Sequence, residues 1–221
     1  MQSKFCRLFR PLLAASLTVS AVCGHAASFD CTKARSPMEK LICSDNKLSS
    51  MDEQLNTAFK EAVARADAKP LLTTWQRGWL KSYDLTQCKD AKCLGIEFGK
   101  RIALLKSVAP SSDSTAQWNG SFSRFYKGKP DKDSANLLLI GMMGKKVYVT
   151  GDALWLGPNA ANGQVNTGEM VGIGELKSGR AVFDLDGCTA TMALNENGVK
   201  VEEESGCGGM NVSFVGEYKR K

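Results

Sequence analysis

Histidine is almost missing from this chain: its one copy in 221 residues is His25. That residue sits in a segment laid out as a secretory signal. Lys4, Arg7 and Arg10 precede an apolar run from Leu12 to Val22, and a small-residue site follows at Gly24-His25-Ala26. The run is too short for a permanent membrane span. Cleavage after Ala26 leaves a chain with no imidazole, which excludes a Ser-His-Asp triad, a Cys-His pair and a Cys/His zinc site. Composition leaves carboxylate-only and Ser-Lys chemistry open, but no spacing suggests either, so no catalytic residue, metal or cofactor is assigned. Ser20-Ala21-Val22 lack the Leu and the adjacent small residue that precede an acylated cysteine, so no lipid anchor is expected at Cys23.

Strong net charge is missing as well. The signal carries three basic residues and no acidic ones, so the net +6 of the full chain falls to +3 in the mature protein. That balance gives no long-range steering toward nucleic acid or a membrane surface. Cys6 and Cys23 also leave with the signal. Cys31, Cys43, Cys88, Cys93, Cys188 and Cys207 remain, and an even number in an exported chain reads as three disulfides in an oxidising compartment, periplasmic or extracellular.

What is present changes character midway. Residues 27–108 are poor in glycine and carry helical periodicity. Residues 109–117, with Pro110, Ser111, Ser112, Ser114 and Thr115, have the composition of a linker. Residues 118–221 are rich in glycine, with short alternating runs. The expected fold is α+β in two domains: a disulfide-stapled helical module followed by an antiparallel β-barrel of about eight strands.

In the helical half, Ser36-Pro37-Met38-Glu39 places a cap, a first-turn proline and a capping-box acid in order. A second helix is expected after Ser44-Asp45, with boxes possible at Ser49/Asp52 or Ser50/Glu53; Leu48, Met51, Leu55, Phe59 and Val63 share one face. A third, from Pro70, buries Leu71, Leu72, Trp75, Trp79 and Leu80. A fourth, after Cys93, turns Leu94, Phe98, Ile102 and Leu105 inward. Cys88 and Cys93 flank a turn and can pair locally, leaving Cys31 with Cys43, but four cysteines allow three connectivities and spacing does not choose among them.

The string Phe29-Asp30-Cys31-Thr32-Lys33-Ala34, then Glu39-Lys40-Leu41-Ile42-Cys43-Ser44-Asp45, Leu48 and Met51-Asp52, resembles the N-terminal domain family of the lysozyme inhibitor LprI. Trp75-Gln76-Arg77-Gly78-Trp79-Leu80-Lys81 is similar to that family's Gln-Arg-x-Trp-Leu signature, and Cys88, Cys93-Leu94 and Arg101-Ile102 continue the pattern through about residue 106. The resemblance implies an exported helical module associated with inhibition of lysozyme. Arg77 is its one motif residue singled out for surface recognition.

In the barrel half, strands are expected at 121–126, 135–141, 146–150 with 153–156, 169–176, 181–185, 189–194, 199–203 and 212–218. Trp118-x-Gly120-x-Phe122 and Phe214-x-Gly216-x-Tyr218 look like partners that close the barrel. Cys188 and Cys207 are expected to staple its last section. Asp184-x-Asp186-Gly187 opens like a calcium loop, but no bidentate acid follows at the needed distance. Lys127, Lys129 and Lys132 around Pro130 read as a solvated loop. The turn Ser178-Gly179-Arg180 is the barrel's candidate partner contact, because Arg180 is suited to the carboxylate pair on which glycosidases depend.

These readings predict a non-enzymatic envelope protein that binds a lysozyme or another muramidase. The alternative is a barrel enclosing a small apolar ligand. It turns on whether Leu138, Ile140, Val147, Trp155 and Val182 fill the interior or leave a cavity.

Overall fold

The structure is a computed structural model that describes residues 27–221. The signal segment, with Cys6, Cys23 and His25, lies outside the described residues.

Helix α1 (Pro37–Ser44) begins as its sequence dictates. Ser36 Oγ accepts from Glu39 N at 3.1 Å, and Glu39 reaches back to the amides of Ser36 and Arg35, both at 2.8 Å. Helix α2 (Asn46–Ala66) starts earlier than either serine capping box allows, because Asp45 takes the cap position and accepts from Leu48 N at 2.9 Å. Ser49 is then inside the helix and buried, and its hydroxyl donates to Ile42 O at 2.7 Å. Leu48, Leu55, Ala58, Ala62 and Ala66 form the buried stripe of α2. The small alanines let its long partner α5 (Ala91–Lys106) approach closely, while Phe59 and Val63 flank the seam, partly buried.

Helix α3 (Lys69–Trp79) buries Leu72 and Trp75. Leu80 is exposed, contrary to its expected place in the core, because the helix ends at Trp79 and Leu80 falls in the cap turn. A short α4 (Tyr83–Thr86), absent from the sequence expectation, inserts the buried Leu85. The cysteine pairs are Cys31–Cys43, Cys88–Cys93 and Cys188–Cys207.

The second half is one antiparallel sheet closed on itself. Its strands are β1 (Gly120–Tyr126), β2 (Lys129–Pro130), β3 (Ala135–Met142), β4 (Lys146–Leu156), β5 (Val165–Lys177), β6 (Arg180–Leu185), β7 (Cys188–Asn195), β8 (Gly198–Ser205) and β9 (Gly216–Arg220). From β3 to β9 neighbours in sequence pair in turn, and β1 pairs with β3 on one side and β9 on the other to close a ring of eight, with the two-residue β2 continuing the β1 hairpin. The expected partnership of the two glycine motifs holds at the level of strands. The register differs, with Phe122 opposite Arg220 and Arg124 opposite Tyr218.

Alternation along each strand decides what lies inside. Phe122, Leu137, Leu139, Val147, Val149, Phe183, Met192, Val199, Val201 and Tyr218 belong to one buried core with Trp118 and Phe214. Of the five residues expected to line the interior, Val147 does so. Leu138 and Ile140 sit one position out of phase on β3 and pack on the helical half; Trp155 and Val182 are only partly buried.

Residues 109–117 do not hang free between the halves. Val108 bridges to Met142, Ala109 N donates to Gly141 O at 3.0 Å, and Met143 N donates to Ser107 O at 2.8 Å. A 3-10 turn (Ser114–Trp118), capped by Asp113, then lays the buried Thr115 over β3. A Cβ at Gly141 would come within 2.3 Å of Thr115 O, so glycine is what permits the close approach. Ile140, Met142 and Tyr148 complete the helical core from the barrel side, and the Trp75 and Tyr148 rings lie 4.9 Å apart.

Candidate recognition surfaces

The residues that carry the family resemblance converge on a buried group. Arg101 on α5 is 1% exposed, with its guanidinium 3.6 Å from the Trp75 ring centroid and 5.4 Å from that of Trp79. Its Nε donates to Gln76 Oε1 at 2.8 Å. No carboxylate pairs with it among the described residues. Burial therefore pushes the guanidinium down to about 9, still high enough to keep it cationic at neutral pH. Two aromatic faces and one amide oxygen hold the charge in place of an acid. Trp75, Gln76 and Trp79 thus act as an internal clasp for Arg101.

Arg77 lies on the opposite side of α3, exposed and without an ion pair among the described residues. Glu39 and Asp30 are caps. Backbone amides of Ser36 and Arg35 hold the Glu39 carboxyl below its ordinary range, and the Thr32 hydroxyl and amide do the same for Asp30.

Ser178 and Gly179 both adopt positive φ, 49° and 80°, as a two-residue type I′ hairpin turn requires. Arg180 follows on β6, but its side chain is engaged: Nε lies 2.6 Å and Nη2 3.3 Å from the Glu202 carboxylate on β8. That hydrogen-bonded pair raises Arg180 and lowers Glu202 from their ordinary values. The structure therefore does not bring Ser178, Gly179 and Arg180 into one site with Arg77, which is on a helix of the other half.

The sequence reading missed the turn at the opposite hairpin. Lys127 and Gly128, at φ 48° and 78°, make the same two-residue turn between β1 and β2. Tyr126 beside it is 63% exposed, and Lys127, Lys129 and Lys132 are all exposed. The two aspartates of this loop are turned inward. Asp131 pairs with the buried Arg124 at 2.9 Å, and Asp133 accepts from Leu156 N at 3.0 Å. The sequence shows three lysines mixed with two aspartates, and only the burial of the aspartates leaves the surface basic.

At this end of the barrel, the Tyr218 hydroxyl donates to Phe214 O at 2.7 Å, and burial raises it well above an ordinary phenol. Arg124 also donates to the carbonyls of Ser213 and Asp133. These groups bind the β1 hairpin to the barrel. Among the described residues no cluster of three or more His, Cys, Asp or Glu side chains is placed to hold a metal.

Relatives that match the chain include the protein named Lipoprotein LprI in Mycobacterium bovis and in two strains of Mycobacterium tuberculosis, each 40% identical over 97 residues. The match covers 43% of this chain and 48% of the relative, so the chain spans about half the length of the curated relatives it matches. No family model matches the chain, and no solved structure matches it. The relatives' name makes them lipoproteins, so the expectation of an unanchored chain draws nothing from them. Over less than half of its length, then, this chain is similar to LprI, and the rest is known by its barrel alone.

Proposed function

We propose that the mature protein is an exported, non-enzymatic envelope protein that binds and inhibits a lysozyme or another muramidase. The observation that carries this reading is the likeness to LprI, joined to the family resemblance of residues 29–106. Three cystines suit a periplasmic or secreted location. A chain without histidine after residue 26 suits a binder better than a hydrolase. Inhibition works by occlusion: a protruding turn fills the cleft and places a cation or hydroxyl near its carboxylates. Candidate contacts are Arg77 on the helical half and Ser178, Gly179 and Arg180 on the barrel, where Arg180 would exchange Glu202 for a carboxylate of the target.

The apolar-ligand alternative gains no support from the barrel, whose centre is occupied by Phe122, Phe183, Met192 and Tyr218 side chains. The test is a titration of the purified mature protein against a panel of muramidases acting on cell-wall substrate. Slowed turnover at micromolar inhibitor is expected for at least one. Unchanged rates across the panel would overturn the reading.

A further inference from the structure

The hairpin after β1 presents a cluster of lysines that form no ion pair among the described residues. Strand β1 makes its last rung with β9 at Phe125 opposite Glu217, and the chain continues past it through Tyr126, the Lys127-Gly128 turn and Lys129. Nothing lies within 4 Å of where a Cβ on Gly128 would stand, so that side of the tip is open. Lys127 Nζ rests 5.2 Å from the Tyr126 ring centroid, and on the adjacent strand Lys219 Nζ rests 4.7 Å from that of Phe125. None of Lys127, Lys129, Lys132 or Lys219 forms an ion pair among the described residues.

The base of the tip is fixed. Arg124, nearly buried, holds Asp131 and the carbonyls of Ser213 and Asp133, while Asp131 N donates to Arg124 O at 3.1 Å. Asp131 also accepts from Asp133 N at 3.1 Å. The same contacts that anchor the loop engage its acids and leave them half-buried. What remains is a rigidly rooted basic finger with an exposed aromatic ring, whose Tyr126, Lys127, Lys129 and Lys132 line an open groove of about 780 Å³ with Pro130 and the two aspartates.

A projecting basic hairpin complements a concave acidic site. Muramidases work with a pair of carboxylates flanking the scissile bond inside a cleft, and a local cluster of lysines meets such a cleft whatever the net charge of either protein. We infer that the 126–132 finger, with Lys127, Lys129 and Lys132 facing the cleft carboxylates and Tyr126 against its wall, is the element that enters the target muramidase. This rests on the muramidase reading above. It differs from the Arg180 turn in one respect that matters: Arg180 must first give up Glu202, whereas the three lysines lose only water.

The test compares the wild-type mature protein with the triple variant Lys127→Gln, Lys129→Gln, Lys132→Gln, and with Arg180→Gln and Arg77→Gln separately. Each is titrated against the muramidase that the wild type inhibits, at low and at physiological salt. Thermal melts check folding; all substituted side chains are exposed, so melting points within a few degrees of wild type are expected. The triple variant should inhibit at least about tenfold more weakly and lose most of the salt dependence, as removal of complementary charges does. Each single variant should weaken inhibition less than the triple variant does; a single variant that weakens it as much overturns the inference. A folded triple variant that inhibits as well as wild type overturns the inference and leaves the muramidase reading standing. The inference is overturned in the same way if the triple variant loses only its retention on an anionic polysaccharide column. If the wild type inhibits no muramidase, both fall together.

Discussion

The two halves of this protein place their polar chemistry oppositely. In the helical half, most of the residues that carry the family resemblance serve the fold: Trp75, Gln76 and Trp79 clasp a buried cation, while Glu39 and Asp30 cap helices at the surface. In the barrel half the buried charge of Arg124 is paired with Asp131, and unpaired lysines stand outside on the hairpin after β1. A motif can therefore mark a family while serving the fold, and the surface that meets a partner can lie where no motif drew attention. The halves are joined by a shared core at Ile140, Met142 and Tyr148, so the helical half also acts as a brace on one wall of the barrel.

The largest effects should come from breaking that joint stability. Phe183→Ala empties part of the barrel centre and should cost about 3–5 kcal/mol in urea unfolding. Because the core is shared, amide hydrogen exchange in α2 and α5 should report the same lowered stability as exchange in the barrel strands. Two separate stabilities would show that the halves are independent.

Next come the cystines, which sharpen the contrast between local and longer-range staples. Loops of 19 and 5 residues imply losses of roughly 3 and roughly 2 kcal/mol when Cys188–Cys207 and Cys88–Cys93 are replaced pairwise by serine. Equal losses in chemical denaturation would contradict the chain-entropy account of that difference.

A smaller effect is expected at the buried cation. Arg101→Met keeps much of the packing volume and removes an unpaired charge, so it should range from neutral to about 1 kcal/mol more stable. Burial holds Arg101 at about 9 in the folded protein, below its value in the unfolded chain. Between those two values the unfolded state binds more protons, so wild-type stability gains on the variant as pH rises above about 9. Any advantage of Arg101→Met should thus be full at neutral pH and shrink on going to pH 10, read as the difference between paired denaturation curves. A growing advantage would mean that Arg101 is better stabilised charged than its surroundings indicate. The smallest effect belongs to Arg180→Gln, which removes an exposed ion pair and should change stability by less than about 0.5 kcal/mol.

Much of this architecture was legible because local rules and burial agree. The Ser36–Glu39 box, the strand spacing and the even cysteine count each have a short-range cause. Long-range facts were not legible. The β1–β9 register depends on closure of the whole ring, and the phase of β3 was misread because Leu137, Leu138, Leu139 and Ile140 are all apolar and two faces are covered. On such a strand alternation vanishes from the sequence: the barrel takes Leu137 and Leu139, and the helices take Leu138 and Ile140. Arg101 and the lysine finger were missed for a related reason. Sequence gives charge, but only the fold tells which charges are buried and which acids are withdrawn from their neighbours.

The division of labour between the halves is tested most directly by hydrogen exchange on the full mature protein, alone and with an inhibited muramidase. The largest added protection is expected in the barrel around residues 124–133, exceeding any change at the Arg77 face of α3. Protection centred on α3, with the finger exchanging as in the free protein, would contradict it.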